Sequence, residues 1–410
     1  MYDNMNEQMQ TAKANRIHIG FFGRCNAGKS TLINMITGQP IALVSEVAGT
    51  TTDPVSKSME ILPLGPVLLI DTAGVDDRSQ LGHLRIEKTK TMIPKINIAV
   101  YVLRSDKLID KIDQEWIERL QKAGLPLLLV INEVKGYKAD AYMAQQTVTF
   151  PREGMTYIGV DASKSFDQKK ILKALSRLSV KDSEEERTLL EGLVKPNKRI
   201  LLVCPIDSAA PKGRLILPQV QMIRDILDHR GLSLVVQTEE VPEALRTFKP
   251  ELVITDSQAF GPVSQMVPDA IPLTSFSIIM ARFKGKLKAL VAGAQTIKGL
   301  HSGSKVLISE GCTHHRQCDD IGTVKIPRWL AQAGYTDLDL TWTSGGAFPD
   351  DVSAYDLVIH CGACMLTRRE VLRRIDITLQ NGVPIVNYGV LIAVLHGILD
   401  RALSPFQQEL

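Results

Sequence analysis

Eight residues constrain this chain more than any others. Gly23-Arg24-Cys25-Asn26-Ala27-Gly28-Lys29-Ser30 follows an apolar run at 17–22 and precedes a helical pattern at 31–36. G-x-x-x-x-G-K-S between a strand and a helix is a phosphate-binding loop. Its glycines let the backbone wrap so that amides point at phosphate oxygens, with the helix N-terminus behind them. Lys29 is then placed to bridge the β- and γ-phosphates, and Ser30 to bind Mg²⁺. A chain that opens this way is committed to a parallel α/β sheet with the loop at a strand's carboxyl end.

The next pieces fall in the order such a domain requires. Gly49-Thr50-Thr51-Thr52-Asp53 stands where a switch loop belongs. An apolar strand at 67–70 ends in Asp71-Thr72-Ala73-Gly74. Asp71 is expected to hold Mg²⁺ through water, and the Gly74 amide to sense the γ-phosphate. Lys29, Thr51, Asp71 and Gly74 are therefore the expected catalytic set. Gly23, Asn26, Ala27, Gly28, Lys29, Ser30, Thr31, Asn132 and Ala162 are the expected nucleotide contacts.

These motifs resemble the translation-factor-class GTPases near the tRNA-modification and ribosome-assembly groups, the TrmE/Era-like superfamily. That resemblance makes Thr51 the switch threonine that reaches Mg²⁺. It matches Asn26 to the asparagine of members activated by K⁺. The base-recognition motif departs from the pattern. Asn132-Glu133-Val134-Lys135 stands where those GTPases have N-K-x-D. Lys135, a donor, occupies the place of an aspartate that accepts two hydrogen bonds from guanine. The later turn Val160-Asp161-Ala162-Ser163 carries Asp161 where the family has serine. Weak base discrimination is the expectation.

Two short clusters dominate the carboxy-terminal third. Cys312-Thr313-His314 follows an apolar run at 306–308, and His360-Cys361-Gly362-Ala363-Cys364 follows one at 357–359. C-x-x-C lets both sulfurs of one turn face one metal centre. Parallel strands would bring both clusters to one carboxyl-end edge. Three thiols suit an iron–sulfur cluster with one unusual or open position, and equally zinc with Cys₃His ligation. Six cysteines in 410 residues make no disulfide framework, and a reducing compartment fits them. The polar start and the short apolar runs lead us to expect a cytoplasmic protein with no membrane partner. A net charge of +3 advertises no nucleic acid.

The expected architecture is α/β with three domains: a P-loop GTPase domain at 1–178 and two smaller parallel-sheet domains at 179–265 and 266–410. The middle domain shows no catalytic constellation. A dimer through edge strands such as 199–203 is expected of it. Arg368, Arg369, Arg373 and Arg374 on a carboxy-terminal helix read as a solvated face, and Cys318 reads as a packing residue.

The whole arrangement resembles the HydF family, the maturation GTPases of [FeFe]-hydrogenases, over essentially the full chain. The paired motif at 311–318 and 360–364 carries the resemblance. It implies a homodimeric scaffold with GTP and a [4Fe–4S] cluster on Cys312, Cys361 and Cys364. His314 and His360 become candidates for a fourth position or for support of the ligands. It further implies a di-iron precursor received from two radical-SAM maturases, HydE and HydG, and delivered to apo-hydrogenase. GTP hydrolysis would regulate partner exchange. The competing class is a housekeeping GTPase with a structural zinc domain, acting on RNA or ribosomes.

Overall fold

The computed structural model describes residues 16–38, 55–62, 64–77, 81–134, 136–145, 156–164, 167–178, 188–206, 215–311, 320–345 and 347–410. The chain divides into two compact units, Met1–Glu185 and Glu186–Leu410.

Among the described residues, the first unit holds one six-stranded sheet in the order β2-β3-β1-β4-β5-β6. The strands are β1 (Ile17–Gly23), β2 (Val55–Ile61), β3 (Gly65–Asp71), β4 (Ile98–Arg104), β5 (Leu127–Asn132) and β6 (Thr156–Val160). Only β2 runs antiparallel. Near-continuous apolar runs such as Leu127–Asn132, buried at every position, are what a sheet covered on both faces requires. Alternate residues feed two cores, Phe21 with Leu32 on one face and Phe22 with Trp116 on the other. The chain leaves β1 toward β3 on one side and β4 on the other. The loop after Gly23 therefore lies at the topological switch point.

Among the described residues, the second unit holds two four-stranded sheets, β10-β9-β7-β8 and β12-β11-β13-β14. They comprise β7 (Arg199–Val203), β8 (Leu232–Val236), β9 (Leu252–Thr255), β10 (Leu273–Ser275), β11 (Lys305–Glu310), β12 (Asp339–Ser344), β13 (Leu357–His360) and β14 (Ile385–Asn387). All pairings are parallel. Read from the fourth strand of each set, both sheets have the order fourth-third-first-second. Both share one continuous apolar core, in which Leu202 and Ile254 of the first sheet join Ile308 and Ile359 of the second.

Two expectations change here. Strand 199–203 is no edge: β7 is flanked by β9 and β8 and is buried from Ile200 to Val203. The open edge on its side is β8, where Leu232 and Val235 are exposed. The border expected at 265 also moves. β10 pairs with β9 in register Leu273↔Val253, so the middle sheet closes only after residue 265.

Candidate functional site

In the first unit the expected nucleotide loop is built from close approaches. Gly28 ends the loop at φ 99°, the left-handed region that favours glycine, and N-caps helix Lys29–Thr37. A Cβ on Gly28 would lie 2.4 Å from the Asn132 side-chain nitrogen. That nitrogen donates to the Ala27 carbonyl at 3.1 Å, while Asn132 Oδ1 accepts from the Ala162 amide at 3.2 Å. Asn132 thus stitches the phosphate loop to the turn after β6, bringing three of the expected nucleotide residues together. Asn26 adopts φ 60°, and its carbonyl accepts from Arg104 at 3.2 Å.

Lys29 is buried and donates to the carbonyls of Gly23 and Arg24 at 3.0 and 2.9 Å. Burial pulls its pKa down, against the nearby Asp71 charge. Ser30 Oγ donates to Asp71 Oδ2. The other carboxylate oxygen, Asp71 Oδ1, is buried with no hydrogen-bond partner among the described residues. Burial raises the Asp71 pKa. An orphaned carboxylate oxygen beside a serine hydroxyl is the donor chemistry Mg²⁺ takes, so the residues fit the ion. Gly74 packs so tightly on the loop that a Cβ would meet Cys25 Sγ at 2.2 Å. Thr51 lies outside the described residues.

Sequence reasoning missed the brace behind this loop. Arg24 pairs with Asp110, with Asp113 at 3.3 Å and with Asp76 at 3.8 Å. Asp76 also accepts from the Cys25 amide at 2.7 Å. Asp113, held by Tyr101 Oη at 2.8 Å, belongs to the capping box of helix Lys111–Lys122. The D-x-x-D spacing at 110–113 was the available signal. The base-motif substitution has a local explanation. Glu133 accepts from Lys138 Nζ at 2.8 Å and from the Ala139 amide at 3.0 Å, so it caps the start of helix Ala139–Gln145. Lys135 lies outside the described residues. Asp161 is occupied by the Ser163 amide at 3.1 Å and by Lys164 at 3.0 Å.

In the second unit β11 and β13 lie side by side, Ser309 opposite His360, and the Cys361 amide donates to the Ser309 carbonyl at 3.0 Å. The C-x-x-C turn therefore emerges at the switch point of its sheet, beside Gly311. Cys361 Sγ accepts from the amides of Gly311 at 3.0 Å and Ala363 at 3.3 Å. Ala363 sits at φ 55°, which turns its amide back toward the sulfur. Both Cys361 and Cys364 are free thiols. Burial pushes the Cys361 thiol up to about 11. Paired amide donors on a thiol at a strand end are the surroundings a cluster thiolate takes, so these residues fit. Cys312, His314 and Cys318 lie outside the described residues. Among the described ones, no group of three His, Cys, Asp or Glu could hold a metal ion.

His360 is buried between strands. Its Nδ1 faces the Cys361 carbonyl at 2.9 Å and its Nε2 faces Arg374 at 3.2 Å. Because Arg374 can only donate, Nε2 accepts and Nδ1 carries the proton. Burial and the Arg374 charge bring its pKa down to about 4. Both ring nitrogens are thus engaged within the protein, one on the turn and one on Arg374.

The solvated arginine face expected on helix Arg368–Gln380 is corrected by the same network. Arg374 is 1% exposed. It pairs with buried Glu370 at 2.8 Å, donates to the Gly345 carbonyl at 2.6 Å and to Ser309 Oγ at 3.3 Å, and lies over the Phe348 ring. Lys284, from helix Phe276–Lys284, is also buried. Its ammonium donates to the carbonyls of Ala363, Cys364 and Leu366 at 3.2, 3.1 and 2.7 Å. Burial lowers its pKa to about 8.

Among the described residues, no helix is long and apolar enough to cross a membrane.

Comparison with known proteins agrees with this division. A family model described as the Hydrogen maturase F tetramerization domain matches residues 288–405. Another, the Hydrogen maturase F dimerization domain, matches residues 189–285, and together the two span more than half of the chain. A 50S ribosome-binding GTPase model matches residues 18–133. The amino-terminal unit is thus a P-loop GTPase domain. GTPase Der of Wolinella succinogenes is 34% identical over 130 residues, 31% of this chain and 27% of its own length. The tRNA modification GTPase MnmE of Desulfotalea psychrophila is 31% identical over 143 residues, 34% of this chain and 30% of its own. The chain spans under a third of the length of these relatives. Aquifex aeolicus Era bound to GDP and AlF4⁻ is 18% identical, covering 56% of this chain and 97% of that one, at a TM-score of 0.32, too low to carry an argument.

Proposed function

The chain belongs to the hydrogen maturase F family, and from that premise we propose that it is a GTP-binding scaffold for [FeFe]-hydrogenase maturation. In this reading Cys312, Cys361 and Cys364 hold a [4Fe–4S] cluster. The chain accepts a di-iron precursor from the radical-SAM maturases HydE and HydG and passes it to apo-hydrogenase. When bound, the cluster supplies an iron with an open position to which a second metal fragment can attach. The residues described here do the rest. The Gly311 and Ala363 amides stabilise the Cys361 sulfur. His360 and Arg374 fix the strand end that carries it. The observation that carries the reading is the placement of C-x-x-C at the switch point of β11 and β13, with amides already aimed at a sulfur.

In the GTPase unit, Lys29 serves the phosphates, and Ser30 and Asp71 serve Mg²⁺, with Thr51 completing that shell. Gly74 reads the γ-phosphate, and Asn26 serves K⁺. Hydrolysis regulates partner exchange. The chain works as a homodimer, with β8 as the strand offered to a second copy. Its open edge is flanked by exposed Leu232 and Val235, and by Val220 and Leu227 of helix Leu217–Asp228.

Anaerobic reconstitution with iron and sulfide tests the reading. The natural protein should turn brown and give a [4Fe–4S] electron paramagnetic resonance signal on reduction, and Cys361→Ser should lose both. A normal cluster in Cys361→Ser, or a colourless zinc protein, refutes it.

A further inference from the structure

We propose that Lys284 is a positioning residue for the metal-binding turn, holding it by three carbonyls and setting the charge balance of whatever the thiols bind. The inference rests on Cys361 and Cys364 being ligands. Lys284 is the last residue of helix Phe276–Lys284, which follows directly from β10 of the neighbouring sheet. It reaches the turn 363–366 and is 3% exposed. Its hydrogen bonds go to the carbonyls of Ala363, Cys364 and Leu366, all neutral acceptors.

That combination is unusual. A buried ammonium costs several kcal/mol, and neutral carbonyls alone offset this poorly. Among the described residues no carboxylate pairs with it, and the side chains it faces across the turn are those of Cys361 and Cys364. A thiolate-bound metal group there is anionic and completes the pair. The Ala363 residue whose carbonyl Lys284 holds also donates its amide to Cys361 Sγ. A buried positive charge beside a cluster favours its reduced, more negative state, so Lys284 holds the potential up.

The test compares the full-length natural chain with Lys284→Gln and Lys284→Arg. After anaerobic reconstitution, iron and sulfide are counted and the midpoint potential is read by a redox titration followed by electron paramagnetic resonance. Lys284→Gln should retain its circular dichroism and GTP binding. It should take up less iron, and its potential should move to more negative values. Lys284→Arg keeps the charge and should restore the potential. In metal-free protein, iodoacetamide should label Cys361 and Cys364 several-fold faster in Lys284→Gln, because the turn is released. Natural values of both potential and labelling rate in Lys284→Gln overturn the inference. If the natural protein takes up no iron or sulfide, the cluster reading fails, and the labelling rate alone decides whether Lys284 holds the turn. If Lys284→Gln does not fold, Lys284→Arg decides: faster labelling at a natural potential supports the role, and natural labelling overturns it.

Discussion

Arg374→Met is the substitution whose cost the structure lets us work out in most detail. The guanidinium has four polar partners and a ring beneath it. Removing it does not strand Glu370, which keeps Arg373 at 2.9 and 3.0 Å. What is lost is one charge-assisted bond at 2.8 Å, worth about 1.5–3 kcal/mol. His360 Nε2 and the Gly345 carbonyl also lose their donor, at roughly 1 kcal/mol each or more. Methionine fills most of the volume, so no large cavity adds to this. The expected loss is about 3–5 kcal/mol, the range for removing one member of a buried pair. For a unit of this size that is a fall in melting temperature of roughly 6–20 °C. The assay is thermal and urea unfolding of the metal-free chain in a Trp116→Phe background. The remaining tryptophans, Trp329 and Trp342, then report the second unit alone. Glu370→Gln and the double variant close a cycle, and the double should cost less than the sum by about 1–3 kcal/mol. A loss under about 1 kcal/mol, or strict additivity, refutes the reasoning.

Val235→Lys places a charge on the open edge β8, opposite its own copy in a two-fold pairing, and light scattering should then give a monomer at concentrations where the natural chain is dimeric. An unchanged dimer would move the interface elsewhere. For the nucleotide, calorimetry should show weak binding with poor discrimination among GTP, ITP and ATP, because a guanine edge without its carboxylate loses about 1–3 kcal/mol. Glu133→Lys combined with Lys135→Asp should recover part of the GTP preference, whereas a strong GTP preference in the natural chain would show that another residue reads the base.

The phosphate loop was legible because its spacing is dictated by backbone chemistry, and Gly28 and Asn132 meet as that chemistry demands. The parallel placement of β11 and β13 was legible for a similar reason: short apolar runs that lead into cysteine and histidine clusters belong to parallel strands with those clusters at their carboxyl ends. Edge and interior were not legible. β7 and β8 are both short and mostly apolar, and only pairing over 50 residues to β9 makes one central and the other open. The border at 265 failed on the same point, since a three-residue strand such as β10 is defined by its neighbour. Arg374 and Lys284 were invisible as buried groups. An arginine-rich helix reads as solvated until its partners on β11, β13 and the 345 loop are known, and those lie far away in sequence.

The two sheets of the second unit separate what the fold provides from what the residues add. They share strand order, direction and register: Val203 stands opposite Thr255 as Ser309 stands opposite His360. The residue after each third strand donates its amide back to the first, Asp256 to Val203 at 3.2 Å and Cys361 to Ser309 at 3.0 Å. The fourth strands end in matching helix caps, Ser275 and Asn387. Both sheets thus build the same crevice at the same switch point. In one, the positions after the first and third strands read Cys204-Pro205 and Asp256-Ser257; in the other, Gly311-Cys312 and Cys361-Gly362-Ala363-Cys364. Topology alone would assign a site to each. Among the described residues, only the second supplies a sulfur with two amides aimed at it, a backbone turn that Ala363 completes, and buried cations from two helices. The reach of Lys284 from the first sheet's last helix into the second sheet's turn makes the plain framework a support for the equipped one.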